Sequence, residues 1–85
     1  MFYVYVLKSL NDDLGYIGST SDLRRRVADH NSGLVESTRA RRPLQLVYYE
    51  AYMSEKDARR RESNLKLKSR AYAQLRKRII DSLKT

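Results

Sequence analysis

Residues 15–31 read GYIGSTSDLRRRVADHN. A short apolar step, Tyr16-Ile17-Gly18, runs straight into a helix start, and that helix carries three consecutive arginines and one histidine. The aromatic and β-branched residues of 15–19 predict a short strand. Ser21 is the expected N-cap of a helix from 22 to about 31, with Arg24 at N3 and Asp22 favoured by the helix dipole. Gly33 is the expected stop.

Upstream, residues 2–8 alternate aromatic and β-branched side chains and predict a strand. Asn11-Asp12-Asp13 supplies turn chemistry, so 2–19 reads as a hairpin. Downstream, 34–43 is a polar, basic loop closed by Pro43, the single proline. Leu44–Tyr52 predicts a third strand, apolar and aromatic enough to sit centrally. Ser54 and Asp57 have the spacing of a capping box opening a helix to about Leu67. Ser69 is the expected cap of a last helix, whose Tyr72, Leu75, Ile79 and Leu83 form an apolar stripe. The expected architecture is α/β of the α+β type: a small three-stranded antiparallel sheet flanked by helices in the order ββαβαα, in one domain over residues 1–85.

Eighty-five residues support one modest core. With no cysteine, neither disulfides nor a thiolate metal site can staple it. No apolar run approaches the roughly 18 residues of a membrane-spanning helix, and the N-terminus lacks a signal-peptide layout. The expectation is a cytoplasmic protein that does not bind membranes. The net charge of +8 points to polyanions, since phosphate backbones reward such a surface through counterion release. A solubilising charged surface without a partner is the plainer alternative.

At about 100° per residue the first helix sorts its cations. Leu23 and Val27 share the inward face and His30 falls beside Leu23. Arg26 lies next to His30 at the edge of that face, whereas Arg25 is on the far side. Two readings fit this pair: a polar pocket beside the strand end at Tyr16, or a histidine capping the helix C-terminus under a snorkelling arginine. In the next helix Ala58 and Leu65 define the inner face, and Glu62 shares it. An inward carboxylate is costly unless paired. An arginine, for which Arg26 would serve, is the structural alternative; a divalent cation is the functional partner. Mg²⁺ needs few protein ligands, because it keeps waters and takes phosphate oxygens. Phosphodiester hydrolysis requires charge neutralisation at phosphorus, a group to align or deprotonate water, and help for the leaving oxygen. Arg26, His30, the strand tyrosines and Glu62 with a metal suit those needs.

Taken together, these blocks resemble the GIY-YIG nuclease superfamily, especially its small stand-alone bacterial members. Tyr3-Val4-Tyr5 stands in the place of the first motif and Tyr16-Ile17-Gly18 is the second motif. The runs YIGSTSDLRRRVADHNSG, TRARRPLQLVYYE and DARRRESNLK follow in the family's order. The resemblance implies catalytic roles for Tyr5, Tyr16, Arg26 and His30. It also implies Glu62 as the ligand of Mg²⁺ or Mn²⁺. The implied function is a metal-dependent endonuclease acting on DNA, with RNA also open, with low sequence specificity and with branched or damaged structures as candidate substrates. A basic nucleic-acid-binding module with a weak or dead site is the alternative. Arg39, Arg41, Arg42, Lys66, Lys68 and Arg70 are the expected contacts to nucleic acid. Two departures stand out. The first motif is Tyr-Val-Tyr rather than Gly-Ile-Tyr. The asparagine that relatives use downstream of the glutamate is missing, since Asn64 lies on the wrong side of its helix and only Gln74 offers an amide beyond it.

Overall fold

The computed structural model describes residues 1–84; Thr85, the end of the expected domain, lies outside the described residues. The elements are β1 (Phe2–Ser9), β2 (Gly15–Thr20), α1 (Leu23–Asn31), α2 (Glu36–Arg39), β3 (Leu44–Tyr52), α3 (Glu55–Leu67), α4 (Ser69–Arg78) and α5 (Ile80–Leu83). The expected ββαβαα frame is present, with the four-residue helix α2 added and the last expected helix divided into α4 and α5.

The three strands are antiparallel in the order β2-β1-β3. The expectation that β3 is central is therefore wrong: β1 is central and β3 is an outer strand. The physical reason lies in β1's unbroken apolar run, which is suited to burial on both faces. Val4 and Val6 point to one face and Tyr5 and Leu7 to the other, none more than 1% exposed. Along β3, by contrast, Tyr49 and Ala51 remain exposed.

Each face of the sheet has its own cover. Val4 and Val6 pack with Ala58 and Leu65 of α3, Leu75 of α4, and Ile79. Tyr5 and Leu7 pack with Leu44, flanked by Leu23 and Val27 of α1. The expected stripe of Tyr72, Leu75, Ile79 and Leu83 thus faces the core, although the helix breaks at Ile79 into α4 and α5.

Helix ends refine the sequence reading. Asp22, not Ser21, caps α1: its Oδ1 accepts the Arg25 amide at 3.1 Å. Aspartate is as good a cap as serine, so composition could not choose between neighbours. Gly33 ends the helix as expected, in the left-handed region at φ 83°. Its amide bonds the His30 carbonyl and the Leu34 amide bonds that of Asp29, a Schellman closure. Ser54 occupies the N-cap of α3 but its hydroxyl makes no capping bond. Lys68, rather than Ser69, stands at the N-cap of α4.

One half-buried polar clamp ties α3 to β3. Arg61 donates to both carboxylate oxygens of Glu50 at 3.0–3.2 Å, and the Tyr48 and Tyr52 hydroxyls donate to the same carboxylate. Burial pushes Glu50 up, but these bonds more than offset it and hold the carboxyl below its usual range. The clamp fixes the face of α3 that follows from it, including the neighbouring Glu62.

Candidate active site

The β1 register sets Tyr5 opposite Gly18 and Leu7 opposite Tyr16, so both tyrosines lie on the α1 side of the sheet. The Tyr5 ring lies across Gly18. A Cβ there would meet the Tyr5 hydroxyl and stand 2.6 Å from Cζ, so only glycine leaves space for the ring. This gives the second motif's glycine a steric purpose: it lets the phenol cross β2 toward the free edge of the sheet.

His30 meets Tyr5 there. It is fully buried, in the last turn of α1. Tyr5 Oη and His30 Nε2 are 2.8 Å apart, and His30 Nδ1 is 2.8 Å from Thr38 Oγ1. Neither nitrogen caps the helix, so the reading of a C-terminal capping histidine fails. The Val35 carbonyl, 3.5 Å from Thr38 Oγ1, can only accept. With the Thr38 proton directed there, Nδ1 carries the imidazole proton and Nε2 accepts from the Tyr5 hydroxyl. The ring of Tyr16 stands edge-on to His30 with centroids 5.0 Å apart.

The electrostatics follow from burial and from Arg26. Burial lowers the His30 pKa and the Arg26 charge lowers it further, so the imidazole is neutral near pH 7. Burial raises Tyr5; the adjacent Arg26 guanidinium opposes that rise, while Tyr16 and Glu62 add to it. The resting pair is therefore a phenol donating to a neutral imidazole, with a cation beside it. Such a pair can pass the phenol's proton inward to Nε2. Arg26 itself is half-buried, whereas Arg24 and Arg25 are exposed, as the helical wheel requires.

Arg26 also lines a polar cleft of about 320 Å³ at the outer edge of β2, with Ser19, Thr20 and Ser21 on one side and Glu55 and Arg59 of α3 on the other. Ser19, opposite Val4 in the register, donates to Glu62 Oε1 at 2.6 Å. Lys66 holds Oε2 at 2.8 Å. The structural alternative for Glu62, a pairing with Arg26, is thus not what forms: Lys66 and Ser19 hold the carboxylate. A residue four positions on in the same helix reaches the carboxylate without crossing the cleft. Burial raises Glu62, but these two bonds and the Arg59 field outweigh it, so its carboxyl titrates below the usual range and stays ionised.

Glu62, whose oxygens already accept from Ser19 and Lys66, is a candidate ligand for a hard cation. Among the described residues no group of three or more His, Cys, Asp or Glu side chains converges. Glu62 offers one ionised oxygen donor, which matches an ion that keeps most of its waters and takes phosphate oxygens.

The expected nucleic-acid contacts fall into two groups. Arg41 is a structural clamp: it pairs with Asp12 at 2.9 Å and donates to the Leu14 carbonyl at 2.9 Å. Arg39 and Arg42 point their Nε atoms at the Gly33 and Arg39 carbonyls. Lys66 is engaged with Glu62. Lys68 and Arg70 are exposed at the α3–α4 junction. Gln74, the amide beyond Asn64, is exposed on α4.

Sequence reasoning missed three contributors. Thr38 is fully buried and sets the far nitrogen of His30, yet it lies in what reads as a loop. Ser19 follows the second motif, and its partner across the cleft is a tertiary fact. The steric need at Gly18 was legible only as a motif letter.

Comparison with known proteins bears on this arrangement. Residues 1–77 match the model of the GIY-YIG catalytic domain. A UPF0213 protein of Streptococcus pneumoniae is 46% identical over 69 residues, covering 80% of this chain and 69% of that protein. A UPF0213 protein of Halobacterium salinarum is 43% identical over 72 residues, covering 84% of this chain and 92% of that protein. The solution NMR structure of a UPF0213 protein from Bacillus halodurans is similar at 40% identity and a TM-score of 0.55, covering 88% of this chain and 82% of that one.

Proposed function

Because the chain belongs to the GIY-YIG catalytic-domain family, we propose that it is a metal-dependent endonuclease hydrolysing phosphodiester bonds in DNA, with low sequence specificity and with branched or damaged structures among its substrates. The observation that carries this reading is the Tyr5–His30 hydrogen bond with Arg26 beside it, at an edge where α3 presents an ionised Glu62.

In this reading Arg26 neutralises charge building on the scissile phosphate, an electrostatic role that needs a preorganised cation at the rim of a low-dielectric wall. Tyr5 orients the attacking water and takes its proton as its own passes to the neutral Nε2 of His30. Tyr16 packs against His30 and borders the reacting phosphate. Glu62 is the residue that would hold Mg²⁺ or Mn²⁺, which when bound supplies charge stabilisation to the phosphate and leaving oxygens. Exposed cations such as Lys68 and Arg70 supply sequence-independent attraction. Among the described residues no helix is long and apolar enough to cross a membrane.

One observation favours a binder with a weak site: Lys66 already neutralises the carboxylate that a metal would take. Cleavage of linear, nicked, branched and single-stranded DNA, with and without Mg²⁺ or Mn²⁺, separates the two. The endonuclease reading expects metal-dependent products and a loss of roughly 10²-fold or more in Arg26→Ala. Arg25→Ala, on the exposed flank, should lose little. Salt-sensitive binding without products under either metal would overturn the endonuclease reading and leave the binder. Equal loss in both arginine variants would remove Arg26 from the role.

A further inference from the structure

On the α1 side of the sheet, away from Glu62, a groove of about 540 Å³ runs between α1 and the outer strand β3. Tyr3, Tyr49 and Leu46 form its floor, and Ser21, Asp22, Leu23, Arg24 and Val27 form its wall. Tyr3 and Tyr49 meet edge to face, with ring centroids 5.9 Å apart and planes at 66°. That geometry uses one ring's edge and leaves aromatic surface free, and Tyr49 is 53% exposed although it sits mid-strand. An exposed mid-strand tyrosine over an open groove is surface without an occupant inside the chain.

Charge narrows the occupant. Arg24 stands on the groove wall, and no side-chain ion pair or hydrogen bond of Arg24 occurs among the described residues. Asp22 is spent on capping its own helix. A cation beside free aromatic faces matches a nucleotide: a phosphate for the guanidinium and a base for the rings. The base must be unpaired, because in a duplex its faces are covered by its neighbours. At about 540 Å³ the groove has room for one nucleotide and not for a duplex. It also adjoins the cleft at the β2 edge, since Ser21 lines both. A strand crossing Ser21 can place one phosphate at Arg26 and a neighbouring base in the groove.

We propose that the Tyr3–Tyr49 groove is a stacking subsite for an unpaired nucleobase of the bound strand, with Arg24 on its phosphate. The subsite rests on the nucleic-acid reading above and sharpens it, favouring substrates with single-stranded or extruded nucleotides over intact duplex.

The probe is a short oligonucleotide carrying 2-aminopurine, free or in a blunt duplex, titrated with the whole protein in EDTA so that turnover does not interfere. The single strand should bind more tightly than the duplex and its fluorescence should be quenched on binding. Tyr49→Ala should weaken the single strand by about tenfold or more, the scale of one base–aromatic stack, and leave the duplex unchanged. Tyr49→Phe should retain binding. Arg24→Gln, at an exposed position, should lower the salt slope for the single strand by nearly one phosphate's worth. If Tyr49→Ala unfolds, the Arg24→Gln slope and the quenching of the wild type carry the test. Tyr49→Ala binding the single strand as the wild type does, or weakening both substrates equally, would overturn the proposal. So would an unchanged slope in Arg24→Gln. A wild type that binds and quenches but never cleaves refutes the endonuclease and leaves the groove standing. A wild type that cleaves while indifferent to Tyr49→Ala does the reverse.

Discussion

Gly18→Ala puts one methyl group where the Tyr5 ring lies. The new Cβ would meet the Tyr5 hydroxyl, stand 2.6 Å from Cζ and 3.1 Å from Cε1. The ring cannot swing into solvent, because Tyr5 is only 1% exposed and packs under α1. It must shift within the core, and its 2.8 Å hydrogen bond to His30 breaks first. Overpacking of this kind costs about 1–3 kcal/mol. Leaving the buried His30 nitrogen without its partner adds a cost of similar size. A total of about 2–6 kcal/mol, at roughly 4–8 °C per kcal/mol for a domain this small, predicts a melting point lower by about 10 °C or more. Thermal melts read the first effect. An NMR titration of His30, the single histidine, reads the second: loosened burial should raise its depressed pKa back toward 6.5. Combining Gly18→Ala with Tyr5→Phe removes the hydroxyl from the clash, so the pair should be less damaging than the sum, with a coupling of about 0.5–3 kcal/mol. A variant that melts within about 2 °C of the wild type, with His30 titrating unchanged, would refute the claim that Gly18 exists to seat Tyr5.

Thr38→Val keeps the shape but strips the oxygen from His30 Nδ1; it should cost about 1–3 kcal/mol in urea melts, shift the ¹⁵N tautomer signature of His30, and be rescued by Thr38→Ser. Glu62→Gln can still accept from Ser19 and gives up a half-exposed pairing to Lys66, so stability should change by no more than about 1 kcal/mol while metal-dependent cleavage collapses; a sharp drop in melting point with cleavage intact would count against the ligand role. Glu50 carries a pH signature. Its folded pKa lies below the ordinary 4.5, so its contribution is present above that value and is lost as pH falls through the folded pKa; melting temperature should drop below about pH 4.5, and Glu50→Gln should flatten that limb. Tyr52 has the opposite sign: burial, then Glu50, pushes its pKa up to about 12 from the ordinary 10.0. Its contribution is complete below the ordinary value and fades as pH rises through the folded one, which alkaline melts of wild type and Tyr52→Phe can compare.

Local spacing was enough to place the strands, the main helices and several functional faces. Periodicity needs no tertiary partner, so the hairpin, the Gly33 stop, the outward Arg25 and the inward His30, Ala58 and Leu65 could be read from the chain alone. Where two neighbours are chemically equivalent, as Ser21 and Asp22 are for a cap, spacing could not choose. The rest depended on which segments meet in space. That β1 and not β3 is central is a competition between two apolar strands, decided by how completely each is buried on both faces. Glu62's inward face was legible, but its partner was not, because Lys66 and Ser19 prevail over Arg26 through distances set by the packing of α3 on the edge of β2. Arg41 looked like a phosphate ligand and is instead spent on Asp12 and a turn carbonyl. Thr38 and Gly18 carry no local signal of their roles: one acts across eight residues on a histidine, the other by leaving out a side chain beneath a ring from the next strand. Hydrogen-bond partners and excluded volume are properties of the packed chain, and they are assigned when distant segments come together.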